Sequence, residues 1–204
     1  MKLKEPLTGK RLVIRNYKKS DLSFLTDMWF DEENGKYMSD PTREYVTDAY
    51  QGILDDLENS TDGYYLVAEL ADGGVPIASA GIFPTGEDTY DIGYCVHKSR
   101  WRQGFGSEIV TLLLAWLRQH GAARVMAEVA IDNAPSNRLL QKSDLPLRRK
   151  APSKNTICLC ASTAIFTQKR SREALNKSAR AGAKDFGLAE SSKSGGILDV
   201  FPTF

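Results

Sequence analysis

The segment Trp101-Arg-Gln-Gly-Phe-Gly-Ser107 joins two stretches of the chain that have different local patterns. The stretch before it, residues 91–97, is short and rich in strand-forming residues, which predicts a β-strand. The stretch after it, residues 104–120, carries apolar side chains at helical spacing and is followed by Gly121, which predicts a long amphipathic helix. The sequence therefore predicts a strand, a glycine-containing turn and a helix in direct succession.

Such a turn is suited to binding an anion. The first N–H groups of a helix have no partner within the helix, and the helix dipole is positive at that end. Gly104 and Gly106 lack the side chains that would keep an anion away from these N–H groups. Neighbouring side chains add positive charge and a hydroxyl group: Lys98, Arg100, Arg102 and Ser107. The turn is therefore a candidate phosphate site.

Two nucleotide-binding loops of similar composition do not fit this turn. A Walker A loop requires Gly-Lys-Ser/Thr, whereas Gly106 is followed by Ser107 and Glu108. A Rossmann loop requires a third glycine three positions after the second, where this sequence has Ile109. The surrounding elements must therefore identify the type of site.

The rest of residues 10–143 alternates strand and helix signals. The predicted strands cover residues 11–15, 64–70, 77–83, 91–97 and 124–130. Four helices are predicted. The first begins at the cap Ser20-Asp21, and the second runs from Thr42 or Arg43 to Leu57. The other two cover residues 104–120 and 136–142. This order predicts an α/β (α+β) fold, with a mixed, mostly antiparallel central sheet flanked by helices and an irregular C-terminal tail.

Residues 91–108 resemble motif A of the GNAT superfamily of N-acetyltransferases, and residues 127–142 resemble its motif B, with Asn133 and Ser136 in an Asn-x-x-Ser pattern. Residues 11–21 and the loop 36–41 resemble the opening elements and the substrate-side loop of one branch, which contains the ribosomal-protein N-terminal acetyltransferases. Because the motifs follow the family order over residues 10–142, the resemblance implies one GNAT-like N-acetyltransferase domain over residues 10–143.

The resemblance implies acetyl-CoA as the cosubstrate. We expect no metal ion, because the chain has only two histidines and its three cysteines do not form a zinc pattern. It implies that the coenzyme lies where the predicted fourth and fifth strands diverge, with its pantetheine amides along residues 94–97 and its pyrophosphate on the amides of residues 102–107. The implied cofactor-binding residues are Tyr94, Cys95, Val96, His97, Arg102, Gln103, Gly104, Phe105, Gly106, Ser107, Asn133 and Ser136.

The implied reaction is direct attack of an amine on the thioester, which requires a base for the amine, stabilisation of the oxyanion and an acid for the thiolate. Many relatives carry a Tyr acid seven residues after the motif-B Asn, where this chain has Leu140, so Ser136 is the candidate acid. The base is unassigned: the candidates are a water molecule and the carboxylates of Glu69, Glu87, Asp88, Asp91 and Glu128. A catalytically degenerate protein that binds coenzyme A is the alternative.

The sequence changes character after Ser143. Residues 1–143 hold 16 basic and 21 acidic residues, whereas residues 144–204 hold 11 and 5. In the family, motif B runs into a Gly-Phe turn and two final strands, and loss of one guanine before the Asp144 codon would convert Gly-Phe into Asp-Leu. We therefore hypothesise that residues 144–204 are frameshift-derived, that residues 144–166 replace the final strands in part, and that residues 167–204 form a disordered tail.

Composition excludes several classes of binding partner. The acidic balance of residues 1–143 disfavours nucleic acid, and the longest apolar run, residues 109–117, is too short to span a bilayer. Cys95, Cys158 and Cys160 suggest neither a disulfide framework nor a zinc site, and Cys95 is expected to be a small core residue. We expect a cytoplasmic monomer or homodimer that is not bound to a membrane and whose acceptor is a small-molecule amine or a peptide N-terminus.

Overall fold

The computed structural model describes residues 1–38, 52 and 54–143 and the backbone of residues 156–162. Seven strands form one sheet in sequence order. They are β1 (Leu7–Thr8), β2 (Leu12–Asn16), β3 (Tyr64–Leu70), β4 (Pro76–Gly86), β5 (Thr89–Val96), β6 (Arg124–Ala130) and β7 (Thr156–Ser162). Three α-helices have both ends within the described residues: α1 (Leu22–Trp29), α2 (Phe105–Gln119) and α3 (Ala134–Lys142).

The sheet is mixed and mostly antiparallel, as the sequence predicts. Every neighbouring pair is antiparallel except β5 and β6, which are parallel. The parallel pairing is short, because it joins residues 89–91 only to residues 124–126. Beyond Asp91 the two strands no longer pair, and this leaves an opening between β5 and β6.

Helices cover both faces of the sheet. On one face, α1 buries Leu25, Met28 and Trp29, and the Trp29 indole N–H donates to the Ser79 hydroxyl of β4 at 3.2 Å. On the other face, α2 buries an apolar stripe and lies close to α3 and β5. The buried stripe of α2 consists of Phe105, Ile109, Val110, Leu113, Leu114 and Leu117. The core thus fixes the start of α2 against the sheet.

Strong local signals gave accurate element predictions. The strands predicted at residues 64–70 and 124–130 have these bounds in the structure, and the helix predicted at residues 104–120 is observed as Phe105–Gln119. The sequence did not reveal β1, because two residues carry no periodicity. The second predicted helix lies mostly outside the described residues, which show its last residues, 54–56, leading into the 3₁₀ turn Leu57–Asn59.

A cluster of charges attaches the start of α1 to the sheet. The Arg15 guanidinium on β2 donates to both Asp21 oxygens, at 2.7 and 2.9 Å, and to Glu69 on β3 at 2.7 Å. The Asp21 side chain is only 5% exposed, so this pairing is needed to keep the buried charge stable. Glu69, one of the candidate bases, is therefore committed to a structural ion pair.

The edge of β6 is covered by β7. The antiparallel register joins Arg124 to Ser162 and Ala130 to Thr156, so β7 spans the whole of β6. The predictions for residues 144–155 and 163–204, including the tail, lie outside the described residues. Within the part of the chain that is described, no helix is both long and apolar enough to cross a membrane.

Candidate functional site

The predicted anion-binding turn leads directly into the first turn of α2. Arg102 and Gly104 have positive φ angles, +60° and +80°, and Gly104 is the N-cap residue of α2. Glycine occupies this backbone region without steric cost. Because the N-cap residue has no side chain, the backbone N–H groups of residues 105–107 are accessible to a ligand in the adjoining cavity.

Arg11, just before β2, supports the turn from behind. Its guanidinium donates to the Gln103 carbonyl at 2.8 Å and to the Glu108 carboxylate at 2.9 Å, and it stacks on the Phe105 ring with its carbon 4.4 Å from the centroid. Burial opposes ionisation of Glu108, but the hydrogen bonds from the Arg11 backbone and side chain outweigh it and lower the pKa of this carboxyl. The turn is thus held by a residue 92 positions away in the sequence.

A cavity of about 490 Å³ opens where β5 and β6 diverge. It is bounded by the edge of β5, the N-termini of α2 and α3, and the loop that follows α1. Ten predicted cofactor-binding residues line it: Tyr94, Cys95, Val96, Arg102, Gly104, Phe105, Gly106, Ser107, Asn133 and Ser136. The fold therefore brings the two sequence motifs to one cavity.

Two predicted residues, His97 and Gln103, do not line the cavity. The His97 ring lies 2.8 Å from the Ser99 hydroxyl, and its backbone N–H donates to Ile77 of β4, away from the open edge of β5. The Gln103 side-chain amide donates to the Ser99 carbonyl at 3.1 Å. Both side chains therefore shape the turn.

The open edge of β5 already carries two side-chain hydrogen bonds. The Val96 carbonyl accepts the Trp101 indole N–H at 2.6 Å and the Asn34 side-chain amide at 3.1 Å. Asn34 is 7% exposed, and its amide oxygen accepts the Lys98 backbone N–H at 2.6 Å. Asn34 therefore ties the loop after α1 to the end of β5.

Sequence reasoning missed several cavity residues. The lining residues that were not predicted to bind the cofactor are Glu33, Asn34, Tyr37, Met38, Arg100, Trp101, Pro135 and Leu139, of which Arg100 and Trp101 belong to the predicted anion-binding turn or adjoin it. The loop after α1 supplies four of these residues. The predicted substrate-side loop, residues 36–41, overlaps this segment, but the loop has no periodicity from which individual contacts could be predicted.

The N-terminus of α3 supplies the second polar end of the cavity. The Asn133 side-chain oxygen caps α3 by accepting the Ser136 N–H at 3.2 Å. The Ser136 hydroxyl lies 2.9 Å from the Tyr94 hydroxyl of β5, and both residues are buried. Leu140, seven residues after Asn133, is fully buried in the core.

Two of the five candidate carboxylates have an unusual environment. Burial, together with the charge of Glu128, raises the pKa of Asp91 to about 7, and burial also raises the pKa of Glu128. Asp91 Oδ1 is buried and finds no hydrogen-bond partner among the described residues. Asp91 is the last residue of β5 that pairs with β6, so both carboxylates lie where the strands diverge. Glu87 and Asp88, by contrast, lie on an exposed turn.

Cys95 behaves as a core residue. Its side chain is 8% exposed and accepts a hydrogen bond from Asn34 at 3.2 Å. Burial raises the pKa of its thiol to about 12, so the thiol stays protonated at neutral pH. Within the described part of the chain, no cluster of side chains could hold a metal ion.

Comparison with known proteins assigns the fold to a family. The chain is 28% identical over 141 residues to the uncharacterized N-acetyltransferase p20 of Bacillus licheniformis, and the matched region covers 67% of this chain and 79% of that protein. The ribosomal-protein-S5-alanine acetyltransferase of Vibrio fischeri superimposes with a TM-score of 0.64 at 14% identity, over 78% of this chain and 96% of that one. The spermidine N-acetyltransferase of Vibrio cholerae, in complex with CoA and spermine, superimposes with a TM-score of 0.65 at 11% identity, over 76% of this chain and 98% of that one. Residues 11–145 match the acetyltransferase (GNAT) domain, and the chain therefore belongs to the GNAT acetyltransferase family.

Proposed function

We propose that this protein transfers the acetyl group of acetyl-CoA to a primary amine of a small molecule or a protein N-terminus. The observation that carries the proposal is one cavity with an anion-binding helix start at Gly104–Ser107 and a hydroxyl-bearing helix start at Asn133–Ser136. The first fits a pyrophosphate, because helix N–H groups and the charge of Arg102 meet there. The cavity is also large enough for a pantetheine arm and a thioester.

The divergence of β5 and β6 supports a pantetheine in the opening. The residues of β5 that follow Asp91 have no strand partner on that side among the described residues. Amides of an extended ligand can pair with such an edge in the manner of an added strand. Tyr94 and Val96 are the residues whose backbone groups face it, because the backbone of His97 pairs with β4.

The chain's own residues supply candidate acid and base groups. Ser136 is the proposed acid, since its hydroxyl lies in the cavity beside the helix cap of Asn133. Asp91 and Glu128 lie where β5 and β6 diverge but do not line the cavity. We propose them as bases that act through water, because their raised pKa values bring them closer to neutral pH. The amine attacks the thioester carbon, its proton passes to the base, and the C–S bond breaks as the departing sulfur is protonated.

The proposal is tested in two steps. Addition of coenzyme A should raise the melting temperature of the protein, and a thiol-specific reagent should then detect free coenzyme A when acetyl-CoA and an amine are supplied. The amines should include a polyamine, an aminoglycoside and a short peptide with a free N-terminus. No change in melting temperature would contradict the proposed site.

A second candidate function is coenzyme A binding without catalysis. Leu140 favours this alternative, because a buried core leucine stands at the position where relatives carry a Tyr acid. A rise in melting temperature without thiol release, for every amine tested, would select this alternative.

A further inference from the structure

Two hydroxyl groups from elements that are far apart in the sequence meet in the wall of the cavity. The Tyr94 hydroxyl on β5 and the Ser136 hydroxyl on α3 are 2.9 Å apart, and both residues line the cavity. The two residues are 42 positions apart, so only the fold creates this pair. Tyr94 and Ser136 are 7% and 8% exposed, so the pair is shielded from bulk water.

The acidities of the two hydroxyl groups determine which one donates the hydrogen bond between them. A phenol is a much stronger acid than the alcohol of serine, so the favoured arrangement has the Tyr94 O–H donating to Ser136 Oγ. The Ser136 O–H is then oriented away from Tyr94 and can donate to a ligand in the cavity. Burial raises the pKa of Tyr94 to about 12, so the phenol stays protonated at neutral pH and remains a hydrogen-bond donor.

The packing around Tyr94 holds this geometry. A Cβ atom at Gly106 would lie only 3.3 Å from Tyr94 Cε2 and 2.9 Å from Leu139 Cδ1, so the ring lies between the starts of α2 and α3. The Ser136 N–H is fixed by the Asn133 cap. A rigid ring and a capped helix therefore determine where the two hydroxyl groups meet.

From this geometry, and on the basis of the proposed function, we infer that the Tyr94–Ser136 hydroxyl pair stabilises and protonates the thiolate of coenzyme A. As the C–S bond of the tetrahedral intermediate breaks, sulfur takes the Ser136 proton and Ser136 oxygen takes the Tyr94 proton. The Tyr94 phenolate regains a proton from water, which carries the proton that the amine released. Ser136 is the catalytic residue in this step, and Tyr94 is a positioning residue that makes its hydroxyl more acidic.

The Tyr94–Ser136 pair would supply the proton for the thiolate in a chain that has leucine at position 140. A phenol on the strand side of the cavity takes over the proton supply that relatives obtain from the helix side. The Ser136 hydroxyl alone would be a poor acid, whereas a serine backed by a phenol has a second proton in line.

The decisive measurement does not require turnover. The thiol of coenzyme A bound to the protein is titrated by its thiolate absorbance, with Tyr94→Phe, Ser136→Ala and the double variant compared with the unchanged protein. We expect the bound thiol of the unchanged protein to have a pKa lower by about one unit or more than in either single variant. The double variant should equal the Ser136→Ala variant, because Tyr94 acts through Ser136.

Tyr64→Phe is the matched control, because Tyr64 packs edge-on against Trp116 at 5.1 Å and does not line the cavity. This control should leave the thiol titration unchanged. With an active acceptor, Tyr94→Phe should also lower kcat by up to about a hundredfold with little change in KM, and an acetylated aryl thiol, whose thiolate needs no acid, should restore most of the rate.

The outcomes separate the two proposals. If coenzyme A raises the melting temperature but Tyr94→Phe leaves its thiol pKa unchanged, the hydroxyl pair is structural and this inference is wrong while the proposed site stands. If coenzyme A has no effect on the unchanged protein, the proposed site itself fails, and the inference fails with it.

Discussion

Single residues decide how closely the elements around the cavity can approach. Gly106 lies in the first turn of α2, where any side chain would meet Leu139 of α3 and the ring of Tyr94. The absence of a side chain there serves packing as well as ligand access, since it lets the starts of two helices and one strand converge. A turn that the sequence identifies by its glycines is thus also a packing junction.

Replacing Gly106 should therefore damage binding. We expect Gly106→Val to weaken coenzyme A binding about tenfold or more, because over-packing of this kind costs about 1–3 kcal/mol. Binding is measured by calorimetry. The control Gly86→Val adds the same side chain at the end of β4, where the nearest atom is 3.7 Å from an added Cβ, and should bind normally. Equal affinities of the two variants would contradict the packing argument.

Asp91 shows how a residue's position can conflict with its charge. Its folded-state pKa of about 7 lies above that of an unfolded Asp, near 3.9. The folded protein thus binds the proton more tightly than the unfolded chain does. The associated stability is fully present below about pH 4 and is lost as the pH rises through 7.

Asp91→Asn should consequently stabilise the protein at alkaline pH. Compared with the unchanged protein, we expect the melting temperature to rise most at pH 8.5 and clearly less at pH 5, with a gain of up to about 4 kcal/mol in unfolding free energy at the higher pH. Asp88→Asn, which removes an exposed carboxylate on the turn three residues earlier, is the matched control. If Asp91 is also the base, the variant is more stable and less active. A gain that is the same at both pH values would show that burial does not shift this carboxyl.

At the scale of elements, the turn before α2 depends on the segment between β1 and β2. Arg11 contacts the turn at a carbonyl, a carboxylate and an aromatic ring. A turn containing two positive φ angles has several accessible conformations when isolated. The contacts of Arg11 reduce this freedom, so part of the entropy cost of ordering the anion site is offset during folding rather than during binding.

Arg11→Ala should weaken coenzyme A binding about fivefold and lower the unfolding free energy by about 1 kcal/mol, because its side chain is 43% exposed and its ion pair is screened by water. Lys10→Ala removes the same charge from the neighbouring exposed residue and is the control. Arg11→Lys should give an intermediate affinity, since an ammonium cannot reach the Gln103 carbonyl and the Glu108 carboxylate in the same geometry. Equal losses for the Arg11→Ala and Lys10→Ala variants would show that only charge matters.

At the scale of the whole molecule, the last described strand, β7, forms the outer strand at one end of the sheet. β7 pairs with β6 along its full length and so protects an edge that would otherwise be open to association. Backbone hydrogen bonds make this pairing possible for many sequences, whereas side-chain packing decides how stable it is. If residues 144–204 are frameshift-derived, their side chains were not selected to pack against the rest of the sheet.

We predict that a protein with the restored reading frame after Ser143 melts at a higher temperature and acetylates amines faster than this chain. The restored frame would supply a Gly-Phe turn and two alternating strands, which pack better than an unselected sequence. Thermal melts and thiol release of the two proteins provide the test. Early stop codons in that frame of the gene, or equal stability and activity, would contradict the hypothesis.

The sequence alone determined the elements whose signals are local. Hydrophobic spacing and the glycines at positions 104 and 121 predicted α2, and the motif order predicted the family fold and the cavity at the divergence of β5 and β6. The tertiary structure alone decided which residues meet. Tyr94 with Ser136, Arg11 with Glu108 and Asn34 with Val96 are all contacts between distant segments. The raised pKa of Asp91 has the same origin, because burial depends on what the rest of the chain places around a residue.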